Sequence, residues 1–137
     1  MDSKFRLEFD RSILYDPGET GITLDVAIVF SERSVSFPAK VDTGSSICVF
    51  ERRRGEQLGL EIEQGLIQRI STATGIFTAY GFRVTLRVAE FEFDSLVYFA
   101  ADENIRRNVL GRHGWLELVR LGLVDYEGRL YLSRFTF

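Results

Sequence analysis

Ala39-Lys40-Val41-Asp42-Thr43-Gly44-Ser45-Ser46-Ile47-Cys48-Val49 is the stretch on which the fold turns. One carboxylate stands in a small polar loop, with apolar, strand-like residues on both sides. Asp, Thr, Gly and Ser are turn residues in their own right, so an ordinary turn is one reading. The other is a loop that holds Asp42 rigidly while the Gly44 backbone comes close to it. With 8 Asp, 8 Thr and 12 Gly in 137 residues, composition alone would give an Asp-Thr-Gly roughly 0.04 times, so the tripeptide is suggestive and not sufficient.

Outward from this loop, period two dominates. On the N-terminal side Val35 to Val41 reads as a strand, with Pro38 confined to an edge or a bulge. Ser31-Glu32-Arg33-Ser34 is a polar hairpin tip leading back to Gly21–Phe30, a longer strand rich in β-branched residues and apolar enough at its end to be expected buried on both faces. Asp16-Pro17-Gly18 turns the chain. Before it, Phe5, Leu7 and Phe9 alternate with Arg6 and Glu8, which predicts a half-buried strand over Lys4–Asp10.

On the C-terminal side, Ile47–Phe50 predicts a short strand and Glu51–Leu60 a helix of one to three turns. Ile67–Thr72 and Ile76–Phe82 flank Ala73-Thr74-Gly75, a hairpin signature with Gly at the tip. Phe82–Ala89 and Phe91–Ala101 continue the alternation. Trp115, Leu118, Val119 and Gly122 fall at i, i+3, i+4 and i+7, so the spacing predicts an amphipathic helix over Arg112–Leu121. Tyr126-Glu127-Gly128-Arg129 then turns into a last strand, Leu130–Phe135. The expected class is mainly β with one C-terminal α-helix.

The length predicts a single domain over residues 1–137, long enough to bury a core. At 45% hydrophobic and 27% charged, the composition is that of a globular chain. Apolar runs are no longer than six residues, so no segment spans a bilayer as a helix. Met1 to Asp10 lacks a continuous apolar core and does not read as a secretory signal. Cys48 is the only cysteine, which excludes an internal disulfide and a cysteine-rich zinc site and suits a reducing, cytoplasmic setting. A net charge of -3 argues against nucleic acid as the main partner.

The remaining reactive side chains read as structural. His113 is the only histidine, cannot supply both members of a metal pair, and is expected at the surface. Cys48 is expected in the core. Arg52-Arg53-Arg54 is expected on a solvated helix face, paired with Glu51 and Glu56. Trp115, Leu118 and Val119 are expected to pack inside.

The quoted stretch resembles the signature of the retropepsin-like aspartic proteases: an apolar strand entering Asp-Thr/Ser-Gly-Ala/Ser, matched by Val41-Asp42-Thr43-Gly44-Ser45. Ile70–Phe82 resembles the flap hairpin that follows in that family. Val109-Leu110-Gly111-Arg112 is similar to its second signature, which opens a C-terminal helix. Order and spacing fit across Gly21–Leu121. The resemblance implies an acid-protease barrel and an endopeptidase that needs no metal or cofactor. It also implies Asp42 as the catalytic carboxylate, with Thr43, Gly44 and Ser45 supporting it. Ala73, Thr74, Gly75, Ile76 and Phe77 are implied to cover a peptide substrate, and Val109, Leu110, Gly111 and Arg112 to brace the site. Ile76, Phe77 and Tyr80 are candidates to line substrate pockets, although core packing explains them almost as well.

Aspartic proteolysis needs two carboxylates sharing a proton across one water. Of the eight aspartates only Asp42 precedes Thr-Gly or Ser-Gly, and a second lobe does not fit in the remaining residues. The second carboxylate is therefore expected from another copy of the chain across a two-fold axis, with Thr43 bridging the dyad. The Phe135-Thr136-Phe137 tail is a candidate for an inter-subunit sheet. Ser45 is expected to offer its hydroxyl to the ionised carboxylate and draw the pH optimum towards acid. Retroviral relatives usually carry Asp where this chain has Ser46, so Arg112 lacks that carboxylate partner. This departure keeps an alternative open: a non-catalytic dimeric binding module on the same scaffold.

Overall fold

The computed structural model describes residues 3–135. Ten strands and one short α-helix make up the regular structure: β1 (Arg11–Leu14), β2 (Thr23–Phe30), β3 (Arg33–Val41), β4 (Val49–Phe50), α1 (Arg52–Gln57), β5 (Leu66–Thr72), β6 (Gly75–Val88), β7 (Phe91–Ala100), β8 (Val109–Leu110), β9 (Val119–Val124) and β10 (Arg129–Arg134). A seven-stranded sheet runs in the order β2-β3-β8-β4-β7-β6-β5, and a three-stranded sheet in the order β1-β10-β9. The larger sheet closes on itself because β6 is long enough for several partners. Its first half pairs with β5, and its last turns, Thr85–Val88, pair with Val29–Val26 of β2. Closure removes the free edge that β2 would otherwise present, while β5 keeps β6 as its one neighbour.

Where the barrel closes, β6 alternates as expected, and β2 alternates too instead of burying both faces at its end. Leu24, Val26 and Ile28 of β2 and Val84, Leu86 and Val88 of β6 are buried, while their sequence neighbours face outward or are half-buried. Phe37, Phe50, Phe99 and Phe82 form a chain of ring contacts with centroids 5.0, 6.2 and 6.1 Å apart. Trp115, Phe50 and Phe99 are the largest fully buried side chains. Burying each of these contributes roughly 2–3 kcal/mol before entropy is counted.

Pro38 sits where the edge expectation put it. The Lys40 N–H reaches across to the Asn108 carbonyl on the β8 side, so the absent Pro38 N–H, two residues earlier, faces the stretch that β8 has not yet reached. Two other expectations fail. Lys4–Asp10 forms no strand: Phe5 and Leu7 are exposed and only Phe9 packs, its ring 5.7 Å from that of Tyr131. The first strand is Arg11–Leu14, because β10 offers its edge to those residues.

The C-terminal helix is also absent. Over Arg112–Leu121 the chain makes a short 3-10 turn, Leu116–Leu118, and then enters β9. Gly114 lies at φ +103 and Trp115 at φ -146, both outside helical space. From Val119 onward the residues pair with β10 through the Asp125–Glu127 turn, which Gly128 closes in the left-handed region at φ +63. The only α-helix among the described residues is α1, in mid-chain. Among those residues no helix is long and apolar enough to cross a membrane. Thr136 and Phe137 of the proposed inter-subunit tail lie outside the described residues.

Candidate active site

The Asp42 loop is built from its two legs. The incoming leg, β3, pairs in parallel with β8, Lys40 opposite Val109 and Val41 opposite Leu110. The outgoing leg, β4, meets the same strand antiparallel, Val49 opposite Val109. One two-residue strand thus lies between both ends of the loop. The Asp42 N–H donates to the Leu110 carbonyl at 3.0 Å, while on the other side the Val41 N–H donates to Ile22 at 2.8 Å. Beyond β8, the Arg112 and His113 N–H groups donate to the Ser45 and Ser46 carbonyls, both at 2.9 Å.

Gly111 makes this closure possible. A Cβ there would lie 2.1 Å from the Ile47 carbonyl oxygen and 2.8 Å from that of Ser45. No side chain fits, so the requirement is steric and not one of dihedral freedom. The Gly111 N–H points to the Cys48 sulfur at 3.4 Å. Burial pushes the Cys48 thiol up to about 12 despite that contact, which keeps it an unreactive core residue, as expected.

Within the loop, the Gly44 N–H donates to Asp42 Oδ1 at 2.9 Å and the Ser45 N–H to the Asp42 carbonyl at 3.2 Å. The close approach of the Gly44 backbone expected from the sequence is present. The carboxylate is half-buried, and Thr43 and Gly44 are exposed at the tip. Ser45 departs from expectation: its hydroxyl donates to the Ile47 carbonyl at 2.7 Å and so braces the outgoing leg instead of the carboxylate. Among the described residues the Arg112 side chain makes no ion pair or hydrogen bond; it is the backbones of 112 and 113 that hold the Ser45–Ser46 turn. His113 is exposed and meets Glu117, Nδ1 to Oε2, at 3.0 Å. That bond outweighs the opposing effect of burial and holds the Glu117 carboxyl below its usual range.

The hairpin of β5 and β6 pairs residue for residue from Leu66 opposite Gly81 to Thr72 opposite Gly75. Ala73 and Thr74 form its tip, and the Thr72 hydroxyl donates to the Gly75 carbonyl at 3.0 Å. Ile76 is 69% exposed, whereas Phe77 and Tyr80 are half-buried. Phe77 lies 5.9 Å from the guanidinium of Arg107, a residue of the loop before β8.

An open cleft of about 780 Å³ adjoins Asp42, with Thr23, Lys40, Arg106, Arg107 and Val109 in its walls. Sequence reasoning missed these two arginines and the bonds that hold their loop. Asn108 donates from Nδ2 to Glu51 Oε1 at 2.7 Å, and the Glu51 N–H returns a bond to Asn108 Oδ1 at 3.0 Å. Glu51 also takes ion pairs from Arg53 and Arg54, both at 3.3 Å. Its burial favours the neutral acid, but Asn108 and the two arginines outweigh that and hold the carboxyl below the usual range. Arg54 is not solvated as expected: its guanidinium stacks over Phe37 at 4.9 Å. The pairing of the arginine run with Glu51 and Glu56 was expected from the sequence, but the tie from Glu51 to Asn108 was not.

Comparison with known proteins agrees with this geometry. No curated protein matches the chain by sequence. The EIAV protease complexed with the inhibitor HBY-793 is similar in structure, with a TM-score of 0.55 and 19% identity over 73% of this chain and 88% of that one. At that identity the likeness is one of fold. The profile of the family described as Aspartyl protease matches residues 26–113, from inside β2 to the residue whose N–H closes on Ser46. Barrel, Asp42 loop and β8 clamp all fall within that match, and the chain belongs to the aspartyl protease family, with a retropepsin-like fold.

Proposed function

We propose that the chain is one half of a homodimeric aspartic endopeptidase, its active site completed by a second Asp42 across a two-fold axis. The observation that carries this is the doubly gripped Asp42 loop, in a chain holding only one such loop. A carboxylate fixed so firmly beside an open cleft has a use in catalysis, and one copy alone lacks the partner acid. In this reading one Asp42 is ionised and removes a proton from water as that water attacks the scissile carbonyl. The other is protonated and donates to the carbonyl oxygen. The tetrahedral diol collapses to an acid and an amine, with a proton delivered to the leaving nitrogen. Two carboxylates so placed titrate as a coupled pair. Thr43, exposed at the loop tip, would bond across the dyad, and the β5–β6 hairpin would cover the peptide. The lone buried Cys48 suits a cytoplasmic setting.

The test is digestion of a peptide library by wild type beside Asp42→Asn, with pepstatin-type inhibition as a second channel and sedimentation to read assembly. Wild type should cleave as a dimer, and Asp42→Asn should lose about 10²–10⁴-fold in rate. Cleavage that survives the substitution would exclude this mechanism. A folded dimer that cleaves nothing would leave the non-catalytic binding module, and a strict monomer would remove the shared site altogether.

A further inference from the structure

The cleft beside Asp42 carries opposite charges on its two sides. Its floor is β3, through Pro38, Ala39 and Lys40. Because β3 lies between β2 and β8, the loop leading into β2 and the loop leading into β8 border it from opposite sides. The first contributes Asp16 and Glu19, the second Arg106 and Arg107. Asp16 is already engaged in its own turn, Oδ1 accepting the Gly18 N–H at 2.8 Å. Arg106 and Arg107 are exposed and, among the described residues, neither meets a carboxylate. Arg52, Arg53 and Arg54, by contrast, all do.

We propose that this basic wall selects substrates with an acidic side chain near the scissile bond, bound by Arg106 and Arg107; this rests on the endopeptidase reading above. Three observations support it. First, the root of the wall is fixed: Asn108 is bonded to Glu51 in both directions, and its carbonyl takes the Lys40 N–H at 2.9 Å. Arg106 and Arg107 therefore start from a held backbone, which lowers the entropic cost of gripping a ligand. Second, Arg107 lies over Phe77 of the hairpin, between the proposed cover and the floor. A carboxylate bound there would sit in a site partly screened from water, where a charged pair counts for more. Third, the guanidinium fork matches a carboxylate in a way that it cannot match an amide of the same shape. If two chains share one site, each brings its own pair of arginines. The preference should then appear on both sides of the cleaved bond, at matching distances.

The experiment uses the full chain and peptide pairs that differ only by Glu against Gln at each position flanking the cleaved bond. Wild type should cleave the Glu member of one symmetric pair of positions about tenfold faster in kcat/KM. Arg106→Gln/Arg107→Gln should abolish that ratio, so that the Glu and Gln members of each pair are cleaved at equal rates. Arg107→Glu should turn the preference towards Lys. Equal cleavage of Glu and Gln peptides at every position, or a preference untouched by the arginine variants, would overturn the proposal. The endopeptidase reading fails separately, if no peptide is cut. In that event fluorescence anisotropy of the same labelled peptides on Asp42→Asn decides: tighter binding of Glu peptides, lost without the arginines, supports the wall, and equal binding rejects it.

Discussion

The Asp42 loop and the β5–β6 hairpin are both tight turns of small polar residues between strands, yet they are held in opposite ways. Around Asp42, bonds come from distant segments: Ile22, Leu110, Arg112 and His113 all reach the loop or its legs. At the hairpin tip the bonds are local, from Thr72 to Gly75 and between Thr72 and Thr74. The glycines tell the same story. At Gly111 an added Cβ would strike backbone at 2.1 Å, whereas at Gly75, itself at φ +146, it would meet nothing within 4 Å. One turn is specified by the rest of the protein and the other by itself. That division suits a fixed catalytic floor and a cover able to reposition, since preorganised charge and low local stability serve different steps.

The contrast breaks first at Gly111. Gly111→Ala should cost about 3 kcal/mol or more, because the clash is with backbone that cannot swing aside. Denaturant unfolding should read that loss, together with lost cleavage. Next comes the clamp's anchor. Glu51→Gln should cost about 1–2 kcal/mol at neutral pH, through the lost pairing with Arg53 and Arg54. The Glu51 carboxyl is held below its usual range, so its stabilisation is present above that range and is lost as pH falls through the folded-state value. Unfolding curves of wild type and Glu51→Gln should therefore converge as the pH is lowered; a gap of constant size would refute the assignment. Ser45→Ala should cost about 1 kcal/mol, the bond to Ile47, and leave the shape of the pH–rate profile unchanged. A shifted profile would mean that the hydroxyl does act on the carboxylate. Smallest is Ile76→Ser at the hairpin: a stability change within about 0.5 kcal/mol, with a fall in kcat/KM. A large drop in melting temperature there would show that the cover is part of the folded frame.

The elements legible in the sequence were those whose signal is local. Asp42-Thr43-Gly44, the hairpin around Ala73-Thr74-Gly75 and the alternation of β6 all declared themselves within a few residues. The helix expected over Arg112–Leu121 failed because its apolar spacing also fits a strand: Val119 and Leu121 lie half-buried with exposed Arg120 between them. Gly114, which needs positive φ, was the overlooked warning. Lys4–Asp10 failed for the complementary reason. Its alternation is genuine, but a strand also needs an edge to pair with, and β10 supplies that edge only from Arg11 onward. The Glu51–Asn108 tie joins residues 57 positions apart, and no periodicity announces such a pair.

The placement of β8 between β3 and β4 also sets a timetable for synthesis. Residues 41 and 49 find their shared strand only once residues 109 to 113 have been made, so the loop must wait for chain more than sixty residues downstream. A nascent polypeptide ending before Val109 carries its aspartate uncaged, and the loop is fixed in place only once that later strand has emerged.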